Sequence, residues 1–308
     1  MADIENKLPP NAKCTRCGNR AIVRLPSHNA KFCEECFLFF FIRAVHRGLK
    51  KLKIKKKEPL LVAVSGGKDS LVVWDVLDRL GYKTKGFHLN LGIPEFSEKS
   101  IETIKNFAKE RNLPWVLYDL KKEFGYSIPE IYKKLKRKIC STCGRIKRHF
   151  INRIAYKEGY KIVVTGHNLD DEASRLLGNL IWRREDLVKK QHPFLPSVHE
   201  KVPGKLKPLY RVTIDEILIY CKLRDIKFVT VSCPYSKGAT SHKLKEVLDF
   251  IEKKIPGTKR NFLFAYVENK PIPKDKEDFK ECKICGFPSY LEVCGLCLLK
   301  KRLQNSQN

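Results

Sequence analysis

The chain has 308 residues, 43% hydrophobic and 31% charged, which allows a sizeable core in about two structural units and argues against global disorder. Its 62 Lys and Arg against 34 Asp and Glu leave a formal net charge of +28, which points to a polyanionic partner, nucleic acid first. A polar start, MADIENKLPP, and a longest apolar run of only residues 37–42 offer neither an export signal nor a membrane span. A cytosolic protein is expected, so its twelve cysteines read as metal ligands or catalytic thiols rather than disulfides.

In chain order, Cys14, Cys17, Cys33 and Cys36 come first, as C-x2-C-x15-C-x2-C. Each pair lets two thiolates of one tight turn reach one ion, and two turns complete a tetrahedron, so structural zinc is expected over residues 1–40, with iron as the competitor. Residues 41–58 read as a basic helical linker. Positions 43–57 hold eight Lys or Arg and no acid, as a phosphate-facing surface would.

Residues 59–270 alternate strand and helix. Strands are expected at 60–64 (LLVAV), 86–91, 115–120, 161–165 (KIVVT) and 227–231. Between and after them, helical spacing marks 71–80, 101–108, 145–156, 171–180, 214–223 and 244–255. Repeated βα units predict an α/β fold, a parallel sheet with helices on both faces. The Pro-rich stretch 270–276 leads to a last module, residues 271–308. There Cys282, Cys285, Cys294 and Cys297 form C-x2-C-x8-C-x2-C, a second expected zinc site.

The segment Ser65-Gly66-Gly67-Lys68-Asp69-Ser70 joins the first strand to the first helix. An open α/β sheet binds ligands there, beyond strand ends and at a helix N-terminus. Gly66 and Gly67 let a phosphate approach the backbone, Ser65 and Ser70 add hydroxyls, and Lys68 adds a cation. The pattern lacks the Walker A spacing.

SGGKDS, its continuation through residue 82, the pair Cys140 and Cys143, the stretch 165–173 (TGHNLDDEA) and the lone Cys233 together resemble the tRNA 2-thiolation branch of the PP-loop ATP pyrophosphatases. The two terminal cysteine modules resemble its two-zinc-finger subgroup. The resemblance spans nearly the whole chain. It implies a PP-loop ATP-pyrophosphatase sheet flanked by two zinc fingers. It also implies that ATP adenylates the C2 oxygen of a tRNA uridine, which sulfur then replaces, at position 54 of the T-loop. Anticodon uridine 34 or cytidine 32 is the alternative target, and a non-catalytic zinc-finger RNA-binding scaffold the alternative function.

By the same resemblance, Ala63, Leu89, Lys147 and Gly166 meet ATP beside the loop. Asp69, Lys147 and Asp171 are the catalytic groups, with Mg²⁺ on the phosphates. Cys140, Cys143 and Cys233 are left for the remaining chemistry; Cys221 shares helical spacing with Ile214, Ile217 and Leu218 and is expected in the core. Three thiols suit a [4Fe-4S] cluster with one open iron, or a persulfide resolved by a second cysteine; the resemblance favours the cluster. ATP, Mg²⁺, one cluster and two Zn²⁺ are thus the implied cofactors. The implied partners are tRNA, a ubiquitin-like thiocarboxylate sulfur carrier or sulfide, and a second copy in a homodimer. Backbone contacts to RNA are expected from the linker, 133–138, 145–153 and 300–302.

Overall fold

The computed structural model describes residues 8–135, 139–235, 240–268, 270–273 and 279–305. An antiparallel ribbon of β1 (Val23–Leu25) and β2 (Ala30–Phe32) runs directly into α1 (Glu34–Lys51). Phe37, Phe41, Val45 and Leu49 recur every four residues along that helix and are fully buried. The stretch expected as a basic linker is therefore partly a core helix that begins inside the cysteine module. Its helical part ends at Lys51, before the run Lys55, Lys56 and Lys57.

The βα units follow: β3 (Leu60–Ala63), α2 (Lys68–Arg79), β4 (Thr84–Asn90), α3 (Phe96–Glu110) and β5 (Trp115–Asp119). After the short α4 (Leu120–Phe124) and α5 (Ile128–Leu135) come α6 (Cys140–Lys157), β6 (Ile162–Val164), α7 (Leu169–Ile181) and α8 (Glu185–Lys189). The chain continues through β7 (Phe194–Leu195), β8 (Gly204–Leu206), α9 (Ile214–Leu223), α10 (Thr240–Lys254) and α11 (Thr258–Val267). It closes with β9 (Lys280–Glu281), β10 (Pro288–Ser289) and α12 (Gly295–Asn305).

The central sheet has the order β5-β4-β3-β6-β8-β7. All neighbours pair parallel except the edge pair β7–β8. From β3 the chain builds outward to β5, then returns to β6 on the other side of β3. The SGGKDS turn thus leaves β3 at the point where the strand order reverses.

Both faces of the sheet are buried, as continuous apolar strands require. Leu60, Val62 and Val64 enter one core with Trp74, Phe37 and Phe41, while the alternate residue Leu61 enters the other with Phe87, Phe150 and Val163. Each cysteine module joins one of these cores: α1 packs into the first, and Leu299 and Leu303 of α12 into the second.

The expected α/β class and flanking cysteine modules are found, with one strand misplaced. Residues 227–231 form no strand. The fifth parallel strand is β8, whose Lys205 lies opposite Val163 of β6. The backbone N–H of Val229 instead donates to the Gly66 carbonyl at 2.9 Å, so that segment closes against the SGGKDS turn. Of the expected basic run 133–138, residues 136–138 lie outside the described residues, as do 274–276 of the Pro-rich stretch.

Candidate active site

The turn after β3 is held from within. The Ser70 hydroxyl donates to the Gly67 carbonyl at 2.8 Å and accepts the Ser65 N–H at 3.1 Å. Ser70 is buried and so shapes the loop, while Ser65 faces the adjoining cavity. Gly66 has φ +78°, and a Cβ there would sit 3.1 Å from the Ser100 backbone. Lys68 and Asp69 follow in the first turn of α2, where the helix dipole and free N–H groups favour an anion.

Gly166 has a packing task. A Cβ at that position would lie 2.7 Å from the Asp69 carbonyl carbon and 2.8 Å from the Ser70 nitrogen. Its lack of a side chain admits the start of α2 against the end of β6.

Asp69 is oriented from both sides. Its Oδ2 accepts from Lys68 Nζ at 2.9 Å and its Oδ1 from Asn168 Nδ2 at 3.0 Å. Asn168 is buried and caps α7: its Oδ1 accepts the Asp171 N–H at 3.0 Å, and Asp171 Oδ2 accepts the Asn168 N–H at 3.1 Å. Asp171 also pairs with Lys245. Burial opposes ionisation of Asp171, but the Lys245 charge and these hydrogen bonds prevail and hold its carboxyl below the usual range.

The neighbouring acids are engaged too. Asp170 accepts the Ile214 N–H at 2.8 Å and pairs with Lys259, and Glu172 pairs with Lys207 at 2.8 Å. Each acid of TGHNLDDEA thus has partners that help hold α7 in place. Asn168 is the residue that carries their order to Asp69.

A cavity of about 150 Å³ adjoins the turn. It brings together Ala63, Ser65, Leu89 and Lys147, residues scattered over 85 positions of sequence yet expected at one site. The further lining residues, none singled out in the sequence, include His88 and Phe96. His88 is buried with Nδ1 at 2.7 Å from the Val64 carbonyl, and burial pushes its imidazole down, favouring the neutral ring. Phe96, at the start of α3, supplies an apolar wall. The sequence signal for His88 was only its place in a strand beside β3.

Lys147 reaches the cavity from α6, the helix that starts at Cys140. Burial pushes the Cys143 thiol up; Lys147 pulls it down, and Cys233 and Cys140 act to raise it, so these four groups share one electrostatic neighbourhood. The Cys140 thiol lies 2.7 Å from the Tyr235 carbonyl, just after Cys233. Cys221 is elsewhere, buried in α9 with burial raising its thiol to about 12.

The terminal modules fit metal. In each, all four sulfurs lie within 4.8 Å of one another; among the described residues, the Cys140, Cys143 and Cys233 set is not drawn that close. Burial resists ionisation of Cys14 and Cys282. Backbone N–H groups nevertheless bring each to about 6, those of Cys33, Cys17 and Arg16 for the first and of Cys294, Cys285 and Ile284 for the second. Gly18 and Gly286 take positive φ after their pairs, as the tight turns require.

This combination of a β3–α2 phosphate turn at the reversal of a parallel sheet defines a PP-loop protein, and residues 41–237 match the PP-loop domain family. Residues 13–38 match the N-terminal LIM domain of the 2-thiouridine synthetase TtuA. The chain is 41% identical to the tRNA-5-methyluridine(54) 2-sulfurtransferase of Thermus thermophilus, over 92% of this chain and 89% of that one. It is 42% identical to the enzyme of the same name from Pyrococcus horikoshii, over 92% of each. The solved U34-tRNA thiolase NcsA of Methanococcus maripaludis, with its [4Fe-4S] cluster, is 28% identical, with a TM-score of 0.80 over 94% of this chain and 96% of that one. The chain belongs to the tRNA 2-sulfurtransferase family of PP-loop proteins. Among the described residues, no helix is long and apolar enough to cross a membrane.

Proposed function

We propose that the chain is an ATP-dependent tRNA 2-sulfurtransferase that adenylates the C2 oxygen of a uridine and replaces that oxygen by sulfur, at position 54 in the T-loop. The observation that carries this reading is the shared helix. α6 delivers Lys147 to the nucleotide cavity and, from its first turn, Cys140 and Cys143 to the sulfur side. The choice of position 54 over 34 rests on likeness. Relatives named for position 54 are 39–42% identical, against 28% for the U34 thiolase.

The N–H groups at the start of α2, with Lys68, hold the phosphates, and Asp69 would hold a Mg²⁺ that neutralises them. The uridine C2 oxygen attacks the α-phosphorus and the bond to pyrophosphate breaks. Lys147 neutralises the charge that gathers on the α-phosphoryl oxygens. Sulfur then adds at C2, and the oxygen leaves with AMP. Asp171, expected among the catalytic groups, acts by position: it fixes Asn168, which holds Asp69. Cys140, Cys143 and Cys233 would hold a [4Fe-4S] cluster, which would supply a carrier for the sulfur. The two terminal four-cysteine sets would hold zinc as structural cross-links.

The test is direct. Anaerobically reconstituted protein is incubated with ATP, Mg²⁺ and unmodified tRNA, with sulfide or a thiocarboxylate protein as donor. Sulfur is then mapped by nuclease digestion and mass spectrometry. Sulfur at uridine 54 is the expected result. Sulfur at uridine 34 overturns the position, and no sulfur from either donor, with ATP bound and cluster intact, overturns the activity.

A further inference from the structure

Helix α6 separates two cavities. Lys147 and Ile151, one turn apart, line the nucleotide cavity, while Arg145 and His149, also one turn apart, line a second of about 360 Å³. At about 100° per residue the two pairs point some 200° apart, so the cavities flank one helix of roughly 10–12 Å diameter. The second cavity lies between α6 and the C-terminal cysteine module, and its volume is in the range of about 300–1,000 Å³ common to ligand sites.

Its far wall is aromatic. Phe279 and Tyr290 stand with ring centroids 4.8 Å apart, and Tyr290 is 62% exposed. On the near side, His149 Nε2 is buried without a hydrogen-bond partner among the described residues. The His149 ring packs against Phe287 with centroids 5.1 Å apart and so backs the near side of the cavity. Arg145 stands exposed on the same helix, and no acid occurs anywhere along Cys140–Lys157.

Aromatic rings over a cavity accept many flat apolar groups. An acid-free basic helix beside them selects an occupant with a flat π face and a negative charge attached. A nucleotide has both, and unpaired RNA bases are recognised by stacking on aromatic side chains and by contacts to their polar edges.

We propose that this cavity is a nucleobase pocket. It takes an unpaired base of the substrate tRNA other than the one modified, stacks it on Tyr290 and Phe279, and meets its phosphate with Arg145. The inference rests on the tRNA reading above. Its consequence is registration: the RNA is gripped on one flank of α6 while the reacting uridine is presented on the other.

The test is a binding titration of the full protein with unmodified tRNA transcript, alongside thiolation kinetics. Tyr290→Ala weakens tRNA binding by about ten- to a hundredfold, the usual worth of one stacked base, while Tyr290→Phe stays near wild type. Zinc content and ATP binding are unchanged in both, since the ring is largely exposed. Arg145→Gln lowers the salt dependence of binding by about one phosphate contact. In transcripts carrying a single abasic site, one unpaired loop position loses as much affinity as Tyr290→Ala, and the two losses do not add.

Wild-type affinity for Tyr290→Ala in an enzyme that still thiolates tRNA overturns the pocket and leaves the activity standing. Fully additive losses at every abasic position do the same. Failure of the wild-type protein to bind tRNA overturns both readings.

Discussion

Gly166→Ala is a one-carbon change that tests how the phosphate turn is positioned. The new Cβ would stand 2.7 Å from the Asp69 carbonyl carbon, 2.8 Å from the Ser70 nitrogen and 2.9 Å from the Asp69 carbonyl oxygen, where ordinary contact begins at 3.4 Å. These are backbone atoms of a helix turn, so no side chain can swing away. Either β6 or the start of α2 must give by most of an ångström. Overpacking of this kind costs about 1–3 kcal/mol, a fall of several degrees in melting temperature for a domain of this size. Misplacing a reacting group by about 1 Å costs on the order of 100-fold in rate. The variant should therefore lose far more in tRNA-dependent pyrophosphate release than in stability. Gly48→Ala is the control: its Cβ would meet the Tyr210 ring at 2.8 Å, within α1 and outside the nucleotide cavity. It should lose comparable stability and keep its KM for ATP. Pyrophosphate release at the wild-type rate from a destabilised Gly166→Ala protein would refute the reasoning, because the strain would then have been absorbed without moving the turn.

Asn168→Ala removes a helix cap, worth about 1 kcal/mol, and the donor to Asp69. Asn168→Ser restores the cap without the amide donor, so melting temperature should recover while turnover stays about ten- to a hundredfold down; full recovery of turnover contradicts the positioning role. Cys233→Ser should abolish iron at the central site and leave zinc at both termini, and elemental analysis showing undiminished iron after reconstitution sinks the ligand set. Glu130 is held at about 2 by Lys121 and by the N–H and hydroxyl of Ser127. Its folded pKa lies below the ordinary 4.5, so its stabilisation is complete above that pH and fades as pH falls towards 2. The melting-temperature gap between wild type and Glu130→Gln should close over that interval; a gap independent of pH argues that the carboxylate contributes nothing through its charge.

Much of this protein was legible in one dimension because its signals are local. SGGKDS is a turn whose residues are adjacent, and CxxC pairs are loops that close on themselves. The two innermost strands, β3 and β6, announce themselves by unbroken apolar runs, since a strand covered on both faces has no polar side. These sufficed for the α/β class, the nucleotide turn and the two cysteine modules.

Tertiary packing decided the rest. Residues 227–231 carry a better strand pattern than Gly204–Leu206, yet the shorter segment completes the sheet. Strand pairing depends on which backbone lies beside the edge of β6, and that position is set by long-range chain path rather than by β-branched content. The same holds for side chains. Whether Asp171 faces substrate or caps its own helix turns on Asn168 and Lys245, which only the folded chain assembles around it. The two cavities on either flank of α6 arise where α6 meets the sheet on one side and the C-terminal module on the other. A helical period places Lys147 opposite Arg145 and His149, but it says nothing of what each face will meet, because that is fixed by contacts between segments far apart in the chain.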